Sequence, residues 1–175
     1  MQFKPLTLVL ALLASSVPVL SAQADLQTIS DLSHELRATL ENVQSSVDAY
    51  NGGVVGLRSL GAAISRTRPT VGKCEDVVNT SPPLTAEESA AAANSTAVLT
   101  PLFTEMLNAM SVKVPLIRAT GLQGRAKAVF QPAYEQDMRY LGALEGKLHP
   151  RDAAAVHPAL ETARDAYEAL FRAFQ

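Results

Sequence analysis

Asp48-Ala49-Tyr50-Asn51-Gly52-Gly53 separates two long apolar periodicities, and its reading decides the fold. Upstream, Leu26, Ile29, Leu32, Leu36, Leu40, Val43 and Val47 recur every three or four residues. That spacing is one apolar stripe on an α-helix. Downstream, Leu57, Leu60 and Ile64 resume the same period. Asn and Gly tolerate the left-handed conformation that ends a helix. A first helix over 26–49, about six turns long, therefore stops here, and a second begins almost at once. So short a link makes the two antiparallel neighbours.

The rest of the chain repeats this grammar. The second helix is expected over 54–78, and Ser81-Pro82-Pro83 breaks the pattern. Thr85-Ala86-Glu87-Glu88 is a capping box that opens a third helix. That helix is expected to end near 112, ahead of Pro115, with an apolar loop over 114–120 leading to Gly121. A fourth helix follows over 122–148, and His149-Pro150 breaks the chain before a fifth over 151–173. No run alternates with the period of a strand. The fold class is all-α, a single antiparallel bundle of about five helices.

Pro69, Pro101, Pro132 and Pro158 each fall inside a helical pattern. An interior proline removes a hydrogen bond and bends the axis, at about 3 kcal/mol. Helices two to five are expected to be kinked there or, where a proline is a true break, divided. Bowed helices can enclose an apolar cavity. The third pattern carries no charge from Ser89 to Thr104, which marks a central or partly covered helix.

Residues 1–24 read as a signal peptide: Lys4 supplies the positive start, 6–14 the apolar segment and Ala22-Gln23-Ala24 the small residues for cleavage. Ser15, Ser16 and Pro18 interrupt the stretch too early for a good transmembrane helix. Residues 25–175 then form one domain, secreted to the exterior or the cell wall. The whole chain carries a formal charge of −2 with no basic run, a poor nucleic-acid binder. Cys74 is the only cysteine, so no intrachain disulfide is possible and packing must hold the fold. It sits among apolar positions, which fits a buried thiol in a monomer; a disulfide dimer through Cys74 is the competing reading. Asn94-Ser95-Thr96 and Asn79-Thr80-Ser81 are N-glycosylation sequons, the second weakened by Pro82.

Enzyme signatures are missing. There is no Gly-x-Ser-x-Gly elbow and no glycine-rich phosphate loop ahead of a helix. His34, His149 and His157 lack metal-ligand spacing. No catalytic residue, metal site or cofactor is expected, which leaves binding. Methionine is flexible and lines adaptable apolar sites. Leu102, Phe103, Met106, Met110, Phe130, Tyr134, Met138 and Leu141 are the candidate lining of an interior site for a hydrophobic ligand. Ordinary core packing is the competing reading for each.

The leader, a helix ending in Val47-Asp48-Ala49-Tyr50-Asn51-Gly52-Gly53 and the alanine-rich helices that follow resemble the fungal hydrophobic surface-binding protein A family, also called the cell wall galactomannoprotein family. The resemblance is sharp only over 48–53; elsewhere it is pattern and helix order. It implies a five-helix domain that encloses a long-chain fatty acid or a sterol. It also implies two alternatives: adsorption to external hydrophobic surfaces with recruitment of hydrolases, and a structural or antigenic wall mannoprotein.

Overall fold

The structure, a computed structural model, describes residues 25–175; the expected leader over 1–24 lies outside them. Five helices follow one another: α1 (Leu26–Asp48), α2 (Gly53–Thr80), α3 (Ala86–Ala119), α4 (Gln123–Glu145) and α5 (Pro150–Ala173). No strand occurs among the described residues.

The local chemistry accounts for the ends. Asp25 caps α1 by accepting from the Thr28 amide at 2.7 Å. In the α1–α2 turn, Gly52 and Gly53 adopt φ of +97° and +80°, values that an L side chain rarely tolerates. Tyr50 folds back from this turn and is 1% exposed. Its ring lies so close to Gly56 that a Cβ there would stand 3.0 Å from Cδ2. The Thr85–Glu88 capping box is present: Thr85 Oγ1 accepts from the Glu88 amide, and the Glu88 carboxylate accepts from the Thr85 amide.

α3 differs from its sequence expectation. It does not stop before Pro115 but runs on to Ala119, so the expected apolar loop over 114–120 is mostly helix. Val114 and Ile117 are buried, at 1% and 0% exposure, and their packing offsets the hydrogen bond that Pro115 cannot make. Pro69, Pro101, Pro132 and Pro158 also lie inside α2, α3, α4 and α5 and divide none of them.

Neighbouring contacts order the helices as a ring: α1, α2, α4, α5, α3 and back to α1. Glu35 of α1 meets Thr70 and Lys73 of α2, so these two run antiparallel. α3 and α5 run with α1, whereas α4 runs with α2, as Arg139–Glu75 and Gln136–Arg68 show. The α4–α5 seam is the thinnest on the ring. Buried apolar side chains form two clusters. The larger surrounds Tyr50, Leu107, Ile117 and Leu170 near the α1–α2 turn. The smaller surrounds Val78, Leu84, Leu148 and Leu160 at the other end.

One polar knot ties α3 to the start of α5. Ser89 is wholly buried; it donates to Asp152 at 2.6 Å and accepts from the His149 amide at 2.8 Å. Ser89→Ala strands both partners, so it should lower unfolding free energy by about 1–3 kcal/mol in chemical denaturation. An exposed serine such as Ser45 should show no comparable loss on the same change.

Candidate apolar binding cavity

The ring is not filled along its whole length, and the larger cluster supplies part of the wall of the space left. A cavity of about 80 Å³ lies on the bundle axis. Some 10–15 Å³ of such volume already holds a water. All five helices line it: Leu36, Leu40 and Val43 from α1; Ile64, Thr67 and Val71 from α2; Thr96, Leu99, Thr100, Phe103 and Met106 from α3; Ala133, Asp137, Tyr140 and Leu141 from α4; Ala163 and Tyr167 from α5. A second lobe of about 50 Å³ continues towards the smaller cluster, lined in part by Ile29, Cys74, Val77 and Leu144. Leu36, Thr96, Leu99 and Tyr140 border both lobes. Leu99 also borders a surface groove between α1 and α3, with Leu26, His34, Arg37 and Val98.

The lining is largely small or apolar, and the reason is geometric. Thr96, Thr100 and Ala163 face the axis where larger side chains would fill it. Thr96 and Thr100 turn their hydroxyls onto the carbonyls of Ala92 and Thr96 of their own helix, which leaves methyl groups to the void. An aromatic group closes the α4–α5 side. Tyr134 packs edge-on against Tyr167 and Phe171, and Phe103 packs edge-on against Tyr167.

Of the sequence candidates, Phe103, Met106 and Leu141 stand in the cavity wall. Met110 and Phe130 are buried in the larger cluster, and Tyr134 and Met138 pack on it half-buried. Leu102 is half-buried on α3 outside the cavity wall. The α1 and α2 contributions were missed because Leu36, Leu40, Val43, Ile64 and Val71 read in sequence as ordinary apolar stripes, and the threonines because a small polar residue carries no apolar-ligand signal. Asp137 did carry one. It falls three residues after Tyr134 and four before Leu141, a charge on an apolar stripe.

Electrostatics single out that residue. Tyr167 donates its hydroxyl to Asp137 Oδ2 at 2.5 Å. Solvent touches part of Asp137, yet protein crowds the carboxyl, and burial raises its pKa to about 7 against the lowering effect of Tyr167. Burial and the Asp137 charge likewise push the Tyr167 phenol well up. Cys74 is 3% exposed, and burial, with Glu35 nearby, lifts its thiol to about 12. No group of three or more potential metal ligands occurs among the described residues. His157 instead pairs with Glu145 at 2.7 Å. Asn79 and Asn94 are exposed. No described helix is long and apolar enough to cross a membrane.

A family model described as hydrophobic surface binding protein A matches residues 21–132. No curated protein matches the chain by sequence. Three solved structures share the fold at 14% identity. AFMP4P in complex with palmitic acid superposes with a TM-score of 0.79, covering 86% of this chain and 100% of that one. Ligand binding domain 2 of Penicillium marneffei MP1, complexed with multiple arachidonic acids, gives 0.76 over 86% and 96%. Domain 1 of the same protein, complexed with arachidonic acids, gives 0.65 over 83% and 95%.

Asp137 makes stability depend on pH. Its native pKa lies above the ordinary value of 3.8, so between the two the folded state binds more proton than the unfolded state. Its contribution is complete below the ordinary value and is lost as pH rises through about 7. Asp25 and Glu35 are shifted downwards instead and act in more acid solution. Denaturation midpoints should fall between about pH 5 and 8 in the natural chain. Asp137→Asn should flatten that slope; an equal slope in both proteins would contradict the assignment.

Proposed function

The chain belongs to the hydrophobic surface binding protein A family, and on that premise we propose that it is a secreted, non-enzymatic carrier of a long-chain lipid. The observation that carries this reading is the two-lobed void on the axis of a ring whose ends are packed. A fatty acid or sterol lies along the axis and displaces no backbone hydrogen bond. Each buried methylene contributes roughly 0.8 kcal/mol. The two lobes are smaller than the several hundred Å³ usual for lipid-sized ligands. The chain therefore takes the ligand as the shared side chains Leu36, Leu99 and Tyr140 turn aside and the thin α4–α5 seam widens. The fatty acids held by the three structural neighbours support this reading.

The signal peptide over 1–24, the domain over 25–175 and glycans on Asn94 and Asn79 belong to the same proposal. So does a monomeric state, because the buried Cys74 is poorly placed to reach a second chain. Phe103, Met106 and Leu141 are the lining residues we retain from the sequence, with Leu99 as the side chain between the α1–α3 groove and the interior. Ala163→Leu adds bulk to the void from α5, where Ala163 is 0% exposed. It should weaken binding of a fluorescent fatty-acid analogue by about tenfold or more without unfolding the bundle. Unchanged affinity would remove the cavity as the site.

A second reading, adsorption to a hydrophobic surface, has its own observation. Val54, Val55, Val112 and Leu116 are exposed large apolar residues. All four lie at the α1–α2 turn end, where Lys113 donates to the Tyr50 carbonyl at 2.9 Å. Solid polyester or wax is the natural partner of such a tip, and the bundle need not open to reach it. The double variant Val55→Asp/Val112→Asp should lose adsorption to a polyester film and keep lipid uptake. Retained adsorption would exclude the tip.

A further inference from the structure

The cavity holds a carboxyl group and no cation. Asp137 is the one ionisable acid in its wall apart from the phenols of Tyr140 and Tyr167. Tyr167 occupies Oδ2, whereas Oδ1 makes no hydrogen bond to any described residue and is not sealed from solvent or the void. Around it, α1, α2 and α3 present only aliphatic, aromatic, methionine and threonine side chains to the cavity. The Cys74 thiol of α2 and the Tyr134 phenol of α4 stand behind Tyr140 and Tyr167. The cations of α4 and α5 nearest in sequence are engaged elsewhere. Arg139 binds Glu75 at 3.0 Å, and Arg164 binds Glu161 and Glu145.

An ionised fatty-acid headgroup in this wall would find no counter-ion and would face a second carboxyl group. Like charges in a medium of low dielectric disfavour each other strongly. A hydroxyl headgroup finds in Oδ1 a ready acceptor. We propose that Asp137 selects lipids by headgroup, so that the cavity prefers a long-chain lipid ending in a hydroxyl (fatty alcohol, monoacylglycerol or sterol) over an ionised fatty acid. The proposal rests on the lipid-carrier reading above and specifies its ligand class.

The chemistry gives opposite pH responses to two ligands with the same chain. In acid solution Asp137 keeps its proton and shares it with a fatty-acid carboxylate. Above about pH 7 it is a carboxylate, which repels the acid and accepts more strongly from an alcohol. Tyr167 holds the carboxyl down by donating to Oδ2 and acts as the positioning residue.

The test is displacement of the neutral probe N-phenyl-1-naphthylamine from the secreted protein by hexadecanol and by palmitic acid, at about pH 5 and about pH 8.5. Hexadecanol should bind about fivefold more tightly at the higher pH. Palmitic acid should bind at least about tenfold more weakly there. Asp137→Asn should flatten the hexadecanol profile and leave palmitic acid only the dependence of its own ionisation. Tyr167→Phe should keep the hexadecanol rise and move its midpoint to higher pH, a shift that a merely structural role would not produce. A hexadecanol profile unchanged by Asp137→Asn, or palmitic acid preferred over hexadecanol at the higher pH, would overturn the selection by Asp137 and leave the carrier intact. Failure of the probe and both lipids to bind would remove the carrier reading and this inference with it.

Discussion

Five helices packed as a ring, with α3 also reaching α2 and α4 across it, leave interior space wherever the inward side chains do not meet, and the rest of the structure follows from that constraint. Side chains must bridge that interior or leave it open. At the two ends they reach it: Tyr50, Leu107, Ile117 and Leu170 fill one, and Val78, Leu84, Leu148 and Leu160 the other. Around the cavity the inward positions include Thr96, Thr100, Ala133 and Ala163, which are too short to close the space left by the larger side chains beside them. With no disulfide available from the single Cys74, the two apolar clusters and the buried Ser89 knot hold the ring closed.

Polar contacts then fix which faces point inward. Glu35 with Thr70 and Lys73 sets α1 against α2, and Arg139 with Glu75 sets α4 against α2. These pairs are largely exposed and contribute little energy, so their effect is on register. The buried Ser89 knot between α3 and the start of α5 is costlier to break. Given that register, Asp137 and Tyr167 meet across the thinnest seam, beside the void. A carboxyl so placed is unfavourable for folding above neutrality. Its presence is readily understood if a ligand uses it.

Much of this was legible in the chain. Two glycines in the left-handed region, a capping box and stripes of period 3.6 are local signals, and the five helices follow from them. Pro115 misled because a local cost is visible in sequence, whereas the burial of Val114 and Ile117 that offsets it is not. The candidate lining residues were chosen for size and softness, yet size is what places Met110 and Phe130 in the packed cluster. A void is made by residues that do not fill space, and Thr96, Thr100 and Ala163 give no signal one at a time. Asp137 was missed as well, although an acid on the apolar stripe of α4 is a local conflict that the sequence displays.

The central claim is that the interior is a ligand site and not merely an imperfect core. Native mass spectrometry of the protein purified from its natural source, followed by organic extraction and lipid analysis, tests it most directly. The account predicts a discrete adduct whose extract is a single class of long-chain lipid. A clean apo mass that takes up no lipid on titration would contradict it, and would leave the exposed apolar tip at the α1–α2 turn as the functional surface.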